Sequence, residues 1–416
     1  MYRLLIPVTL AIALAACPDP ADTDVDTDTD ADTDTDTEPE VLRPNVQEGI
    51  SPEAEGQTPA FPEQTRAPQP AEATAWTSEV FASGLGVPWG IAPLPDGRLL
   101  VTQRAGSLFV VNADGSVGPP MTGVPSVVAQ GQGGLLDVAI DPDFSNNGRI
   151  YLTFAEDRGG GLSAPTVARG VLNAGNDGLD DVTILFRQTP AWNTTRHFGS
   201  RLVFGDDGTL FATFGDRGSA FTDAQDPNNA IGAVIRINTD GSVPADNPFA
   251  DGVGGAPEVW SYGHRNIQSA TWGADGALWT VEHGAKGGDE LNRPKAGDNH
   301  GWPIISYGED YNGSPIGDGS TAKDGLAQPM YYWDPVIAPS GMATYTGGLF
   351  DGWDGDLLIG GLRSEGLVRL SLRDGQVYTE EWFPLGVRVR SVAIAADGAV
   401  LVGTDAGQIV RIVPEG

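Results

Sequence analysis

The sequence predicts an all-β fold, a six-bladed β-propeller of four-stranded antiparallel blades. Three observations carry that prediction. One unit, an apolar strand followed by a tight glycine turn and a second apolar strand, recurs six times between residues 89 and 405. Fifty-seven glycines in 416 residues supply tight turns along the chain. No long helical period competes with the alternation of apolar and polar positions.

Two segments precede the repeats. Residues 1–17 open with Met1-Tyr2-Arg3, continue through an apolar run from Leu4 to Leu14, and close on Ala15-Ala16-Cys17. A basic start, a short apolar run and small residues at its end describe a secretory signal. The run is too short to span a bilayer, which needs about 20 apolar residues. Its closing cysteine, the only one in the chain, resembles that of a bacterial lipobox. The expectation is a lipoprotein of the bacterial cell envelope, periplasmic or on the outer surface, touching membrane only through a lipid on Cys17. Residues 18–75 hold 16 acidic and two basic side chains and show no apolar periodicity. Repelling charges with no apolar gain predict a disordered acidic linker. EF-hand spacing is absent from its Asp/Thr run.

Residues 76–416 form the predicted propeller domain. The repeats read WGIAPLPDGRLLVTQR (89–104), LLDVAIDPDFSNNGRIYLTFAE (135–156), SRLVFGDDGTLFATFGDR (200–217), SATWGADGALWTVEH (269–283), MATYTGGLFDGWDGDLLIGGLR (342–363) and SVAIAADGAVLVGTD (391–405). Their turn glycines are Gly97, Gly148, Gly208, Gly276, Gly355 and Gly398. Glycine supplies the positive φ that such hairpin turns need. At four strands per blade, six hairpins make six blades. Ser78–Gly84, with Val80 and Phe81, is expected to add the outer strand that closes the last blade.

Topology then points to a site. If the strand before each glycine turn lines the channel, its start and its partner's end lie at the same end of the hairpin. Gln132, His197, Arg265, Asn266, Arg388 and Arg390 stand at strand starts. Gln103, Arg104, Asp216, Arg217, Glu282, His283 and Arg363 stand at partner ends. All should converge on one mouth of the channel. The chain has 24 Lys and Arg against 56 Asp and Glu, a net charge of −32. That excludes nucleic-acid binding through a basic face. An arginine-rich mouth on so acidic a protein implies an anionic ligand.

Arg388 and Arg390, two apart on one strand, face the same side and suit carboxylates or phosphates. No Walker loop and no GxGxxG before a helix is present, which argues against nucleotides. His197 is a candidate general base, and its neighbour Arg196 is expected to keep it neutral. A three-histidine zinc site lacks supporting spacing. The glycine-rich loop from His283 to Glu290 offers carbonyl oxygens of the kind calcium prefers.

GQGGLLDVAIDPDFSNNGRIYLTF, RHFGSRLVF, WSYGHRN, EHGAKGGDELN, GDNHGWP, SGMATY and VRVRSVAIAADG occur in this order. The set resembles the soluble aldose sugar dehydrogenases of the glucose/sorbosone dehydrogenase family, which use pyrroloquinoline quinone (PQQ), and covers about residues 77–413. The resemblance implies a six-bladed propeller with PQQ over the channel mouth. It further implies oxidation of an aldose to its lactone by hydride transfer to PQQ, followed by delivery to an electron acceptor. His197 then matches the base. Gln132, Arg265, Asn266, Tyr311, Arg363, Arg388 and Arg390, with the backbone of Gly361, Leu362 and Val389, match cofactor-contacting positions. Gly284 and Ala285 carbonyls match a calcium loop, and Glu290 with the His300 carbonyl matches a further, structural calcium site.

Four positions depart from the family pattern. Arg363 stands where Lys is common, Ile267 where Pro is usual, and His300 where Tyr is common. Arg196 replaces the Asp that precedes the catalytic His in glucose-specific members, which favours the broad-aldose branch. Two other classes of function remain open at this point. A calcium-dependent lactonase-like hydrolase would want several Asp, Glu or Asn at the strand starts, where this chain has Gln, His and Arg. A non-enzymatic propeller acting as a binding module would lose His197 or the arginine pair, and both are present.

Overall fold

The computed structural model describes residues 41–416. The signal segment with Cys17 and the Asp/Thr run of 18–40 lie outside the described residues.

Each predicted hairpin forms the inner half of a blade. The innermost strands are Pro88–Pro93, Leu135–Ile140, Leu202–Phe204, Ile267–Trp272, Pro339–Thr344 and Val389–Ile394. They neighbour one another in this order and close into a ring. All six turn glycines have positive φ, from 62° to 95°. Gly148 differs in detail, because it caps the single helical turn Phe144–Asn147 in the left-handed conformation. In the last blade Trp76–Ser83 pairs antiparallel with Gln408–Pro414, so the first strand of the domain closes the ring against the last.

Five blades carry four strands and the first carries three. The fourth place there is taken by the segment from Val117 to Met121. It holds through Gly118 N–H to Val110 O (2.9 Å) and Met121 N–H to Leu108 O (2.8 Å). Pro119 and Pro120 have no N–H to donate, so the edge cannot become a regular strand.

The core is divided among the blade interfaces. Leu100, Leu135 and Leu152 pack between the first and second blades, and Tyr151, Leu210 and Ile235 between the second and third. Phe211, Ile267 and Leu278 fill the next interface, and Trp279, Tyr331, Trp333 and Ile359 the one after. Val389, Val402 and Phe383 join the fifth blade to the sixth, and Leu85, Val101 and Ile409 the sixth to the first. Each fully buried side chain of this size contributes about 1.5–3 kcal/mol. Each blade therefore depends on both neighbours, which holds the loops at the channel mouth in a fixed array.

The linker expected over 18–75 needs correction for residues 41–75, which are seated on the outer edges of the fourth and fifth blades. Asn45 Nδ2 donates to Glu380 Oε2 (2.9 Å) and Gln64 Nε2 to Pro329 O (2.8 Å). Thr74 donates through its N–H (2.7 Å) and hydroxyl (2.9 Å) to the Glu381 carboxylate. Ala54, Gln64 and Ala67 are buried. The composition argument failed here because this strap is held mainly by hydrogen bonds to blade edges rather than by an apolar face.

Candidate active site

All six blades converge on one cavity of about 310 Å³, lined among others by Trp89, Arg104, Gln132, His197, Arg265, Leu362, Arg388 and Arg390. A second lobe of about 740 Å³ shares Gln132, His197, Arg265 and Tyr311 with it and extends under Phe221, Ala285, Trp302 and Ile316. Most of the smaller cavity's lining stands at or just before the start of an innermost strand, or just after the end of its partner, as the antiparallel geometry requires, whereas Phe221, Trp302 and Tyr311 come from longer loops. Tyr311 is 73% and Phe221 46% exposed, so an aromatic lip marks the open side.

His197 sits where the chain enters the third blade. Its φ is +47°, and Ser200, Arg217 and Ala338 around the site are also left-handed non-glycine residues. Backbone in that region persists only where surrounding contacts over-determine it. Here the His197 N–H donates to Gln132 Oε1 (2.7 Å), and Nδ1 lies 2.6 Å from Asp216 Oδ1. A carboxylate only accepts, so Nδ1 carries the ring proton and Nε2 is left as the acceptor. Asp216 is itself fixed, since Gly218 N–H donates to Oδ1 (2.6 Å) and Trp302 Nε1–H to Oδ2 (2.8 Å). Burial lowers the His197 pKa below its ordinary 6.5. The Asp216 hydrogen bond opposes this, while the Arg265 and Arg217 charges add to it. Those two arginines take the part expected of Arg196.

Arg217 was missed as a support. It is fully buried, with its guanidinium 3.6 Å over the Phe198 ring. It donates to Arg196 O (2.6 Å) and Thr194 O (3.1 Å), pinning the loop before His197. Burial brings its pKa down to about 9.

The opposite wall is cationic. Arg388 Nε donates to Asp405 Oδ2 (2.9 Å) and Arg390 Nε to Asp405 Oδ1 (3.3 Å). Burial lowers the Arg390 pKa, opposed by Asp405 and reinforced by Arg388 and Arg104. Arg388 and Arg390 thus share one carboxylate, and Arg104 lines the same cavity, an excess of positive charge suited to an anion. Arg265 N–H donates to Glu282 Oε2 (2.7 Å) and its guanidinium lies 5.3 Å from the Trp302 ring centre. Asn266 Oδ1 accepts from Gly199 N–H (3.3 Å).

Other expected residues lie elsewhere. Arg363 points away from the cavity and pairs with Glu53 of the strap. Val389 is fully buried, and its carbonyl accepts from the Ser340 hydroxyl (2.6 Å). Gly361 ends its strand in register with Pro339 and Gly366. Ala285 lines the larger lobe, whereas Gly284, Glu290 and His300 surround a separate void of about 20 Å³. Asp289 ties the calcium-type loop to the cavity wall by accepting from Gly284 N–H (2.9 Å) and Ala338 N–H (2.7 Å). Burial pushes its pKa up to about 7. Burial and the neighbouring Glu282 carboxylate also raise that of Glu290. The His300 ring stacks on His264 at 4.2 Å. Among the described residues no group of three or more His, Cys, Asp or Glu is placed to hold a metal. Side chains alone therefore do not build a calcium site, and main-chain carbonyls would have to dominate one.

Asp216, Arg104 and His283 carried a sequence signal as partner-end residues, but nothing in the chain paired Asp216 with His197. Trp89 and Trp302 lay within a repeat and a motif without a role assigned to them, and Phe221 carried no signal.

Residues 85–411 match the family model described as Glucose / Sorbosone dehydrogenase, and the chain belongs to that family. Aldose sugar dehydrogenase YliI of Escherichia coli (strain K12) is 38% identical over 347 residues, covering 81% of this chain and 92% of that protein. The apo-form crystal structure of the soluble aldose sugar dehydrogenase of Escherichia coli superimposes with a TM-score of 0.78 at 37% identity, over 82% of this chain and 100% of that one. The PQQ-bound aldose sugar dehydrogenase of Streptomyces coelicolor gives 0.68 at 30% identity, over 82% and 99% respectively.

Proposed function

We propose that this protein is a PQQ-dependent aldose dehydrogenase, and that calcium assists it. The observation that carries the reading is the pairing of an oriented, neutral imidazole with an under-compensated arginine wall across one cavity. PQQ is a planar tricarboxylate, and Arg104 together with Arg388 and Arg390, the last two paired with Asp405, suit its charge. Gln132, Asn266 and Leu362 would complete the cradle. When bound, PQQ supplies a quinone able to accept a hydride from the anomeric carbon.

The remaining work falls to this chain. His197 Nε2 takes the proton of the anomeric hydroxyl, and Asp216 stabilises the imidazolium so formed. Arg265, held on Trp302 and Glu282, places a fixed positive charge beside His197. Trp302, Phe221 and Ile316 give the larger lobe an apolar wall against which a sugar ring can pack. The product is the lactone. The carbonyl oxygens of Gly284 and Ala285 would supply hard ligands for calcium, and Glu290 with the His300 carbonyl a second set. Attachment to the cell envelope through Cys17 belongs to the same proposal.

The test is to add PQQ and calcium to the apo-protein and follow dye reduction with a panel of aldoses. Reduction with several aldoses supports the reading, and none with any sugar defeats it. Hydrolysis of lactones instead would favour the hydrolase alternative, for which no carboxylate cluster stands in the channel among the described residues.

A further inference from the structure

Arg363 begins on the cavity wall and ends outside it. Leu362, the preceding residue, lines the cavity, and its carbonyl lies 3.3 Å from Arg388 Nη1. Arg363 N–H is anchored to Ile337 O (3.0 Å). Its guanidinium, in a side chain 54% exposed, is nevertheless turned outward onto Glu53 Oε1. Among the described residues no other hydrogen bond involves that guanidinium, so Glu53 sets its direction.

Glu53 is itself firmly placed. Its N–H donates to Asp334 Oδ1 (2.6 Å), Ala54 N–H to Asp334 Oδ2 (3.1 Å), and Val336 N–H to Glu53 Oε2 (3.2 Å). Gln47 Nε2 donates to Pro335 O (2.9 Å), and Arg66 Nη2 to Asp334 O (2.9 Å). The strap thus clasps the segment 334–336. Two residues further on, that segment reaches Ala338, a cavity-lining residue. Residues 41–75 fall outside the stretch matched by the family model.

We propose that Glu53 is a latch which withholds the Arg363 guanidinium from the cavity. The strap then sets how many arginines an anionic ligand meets. With Glu53 engaged the wall offers Arg104, Arg388 and Arg390. With Glu53 neutralised, rotation about the side-chain bonds of Arg363 brings a further cation to the rim beside Leu362. Glu53 acts through Arg363 and is a positioning residue. The proposal rests on the reading of the cavity as an anion site, and takes PQQ from that reading only as one probe.

The experiment titrates two probes, PQQ and benzene-1,3,5-tricarboxylate, into the full chain and into the Glu53→Gln, Arg363→Ala and double variants. Binding is followed by calorimetry and folding by thermal melts. Gln keeps an acceptor for Val336 N–H, so Glu53→Gln should melt close to the wild type. It should bind both probes about three- to tenfold more tightly, the range of one partly exposed charge-assisted contact. In the Arg363→Ala background the same change should have no effect. That separates the latch from a general loss of negative charge, which would tighten binding in either background. Unchanged or weaker binding by Glu53→Gln overturns the latch, as does a gain that survives in the double variant. If PQQ binds to no variant while the tricarboxylate shows the expected pattern, the latch stands and the PQQ assignment falls.

Discussion

Nδ1 of His197 stands 2.6 Å from Oδ1 of Asp216, and that one contact assigns the tautomer of the imidazole. The two residues lie on opposite sides of the inner hairpin of the third blade, His197 before it and Asp216 after it. His197→Ala should therefore lower the turnover rate on the order of 10²–10⁴-fold while PQQ still binds. Single-turnover kinetics with saturating cofactor checks this, and near-normal turnover would remove His197 from the mechanism.

Asp216→Asn tests the orienting contact separately. Turnover should drop at least tenfold and by up to roughly 10⁴-fold, as when a triad histidine loses its carboxylate. The pH dependence has a definite sign. His197 must be neutral to take a proton, and its pKa is lowered by burial, so the acid limb of kcat/KM lies below pH 6.5. Asp216 raises that pKa against burial. Its replacement should move the acid limb further down while the plateau falls. A shift upward would contradict the geometry.

Arg390→Ala and Arg388→Ala should each weaken PQQ binding by about 1.5–3 kcal/mol, the value of a charge-assisted contact. Both should leave the fold intact, since the residues stand at the start of a strand whose apolar face they do not fill. Cofactor titration with a melt on the same sample measures both effects. Equal affinity in wild type and both variants would remove the arginines from the site.

The strap should be released from Glu380. This buried carboxylate accepts from Asn45 Nδ2 (2.9 Å), Tyr331 OH (2.7 Å), Trp333 Nε1 (2.8 Å) and Trp382 Nε1 (2.7 Å). Glu380→Ala leaves several buried donors unpaired and should cost about 3–5 kcal/mol. Asn45→Ala should cost about 1 kcal/mol and expose residues 41–75 to limited proteolysis before the propeller unfolds. Equal protection of the strap in Asn45→Ala and wild type would show that this contact does not hold it.

Cys17→Ala should move the protein from the membrane fraction to the soluble fraction. This follows from the proposed lipid on Cys17; among the described residues no helix is long and apolar enough to cross a bilayer. Retention of the variant in the membrane fraction would place the anchor elsewhere.

Repetition made the blades legible in the linear chain. Six hairpins with glycine at the turn are local features, settled by φ preference and alternating burial, and the closing strand expected over Ser78–Gly84 is found at Trp76–Ser83. The mouth of the channel was legible for the same reason, because antiparallel pairing alone sends strand starts and partner ends to one side. Arg388, Arg390, His197 and Gln132 meet there as expected. What the sequence by itself determined was thus the architecture, the end at which the candidate site lies, and the residue types present there. Only the tertiary structure decided which of those residues face each other. Asp216 belongs to His197, Asp405 to both arginines, and Glu53, 310 residues away along the chain, to Arg363. It also decided that residues 41–75 are part of the folded body. The physical reason is the same throughout. A strand's burial pattern reports how it sits in its own sheet, whereas which side chains meet at a hairpin's mouth depends on the conformation of the flanking loops and, for Glu53, on where the strap seats.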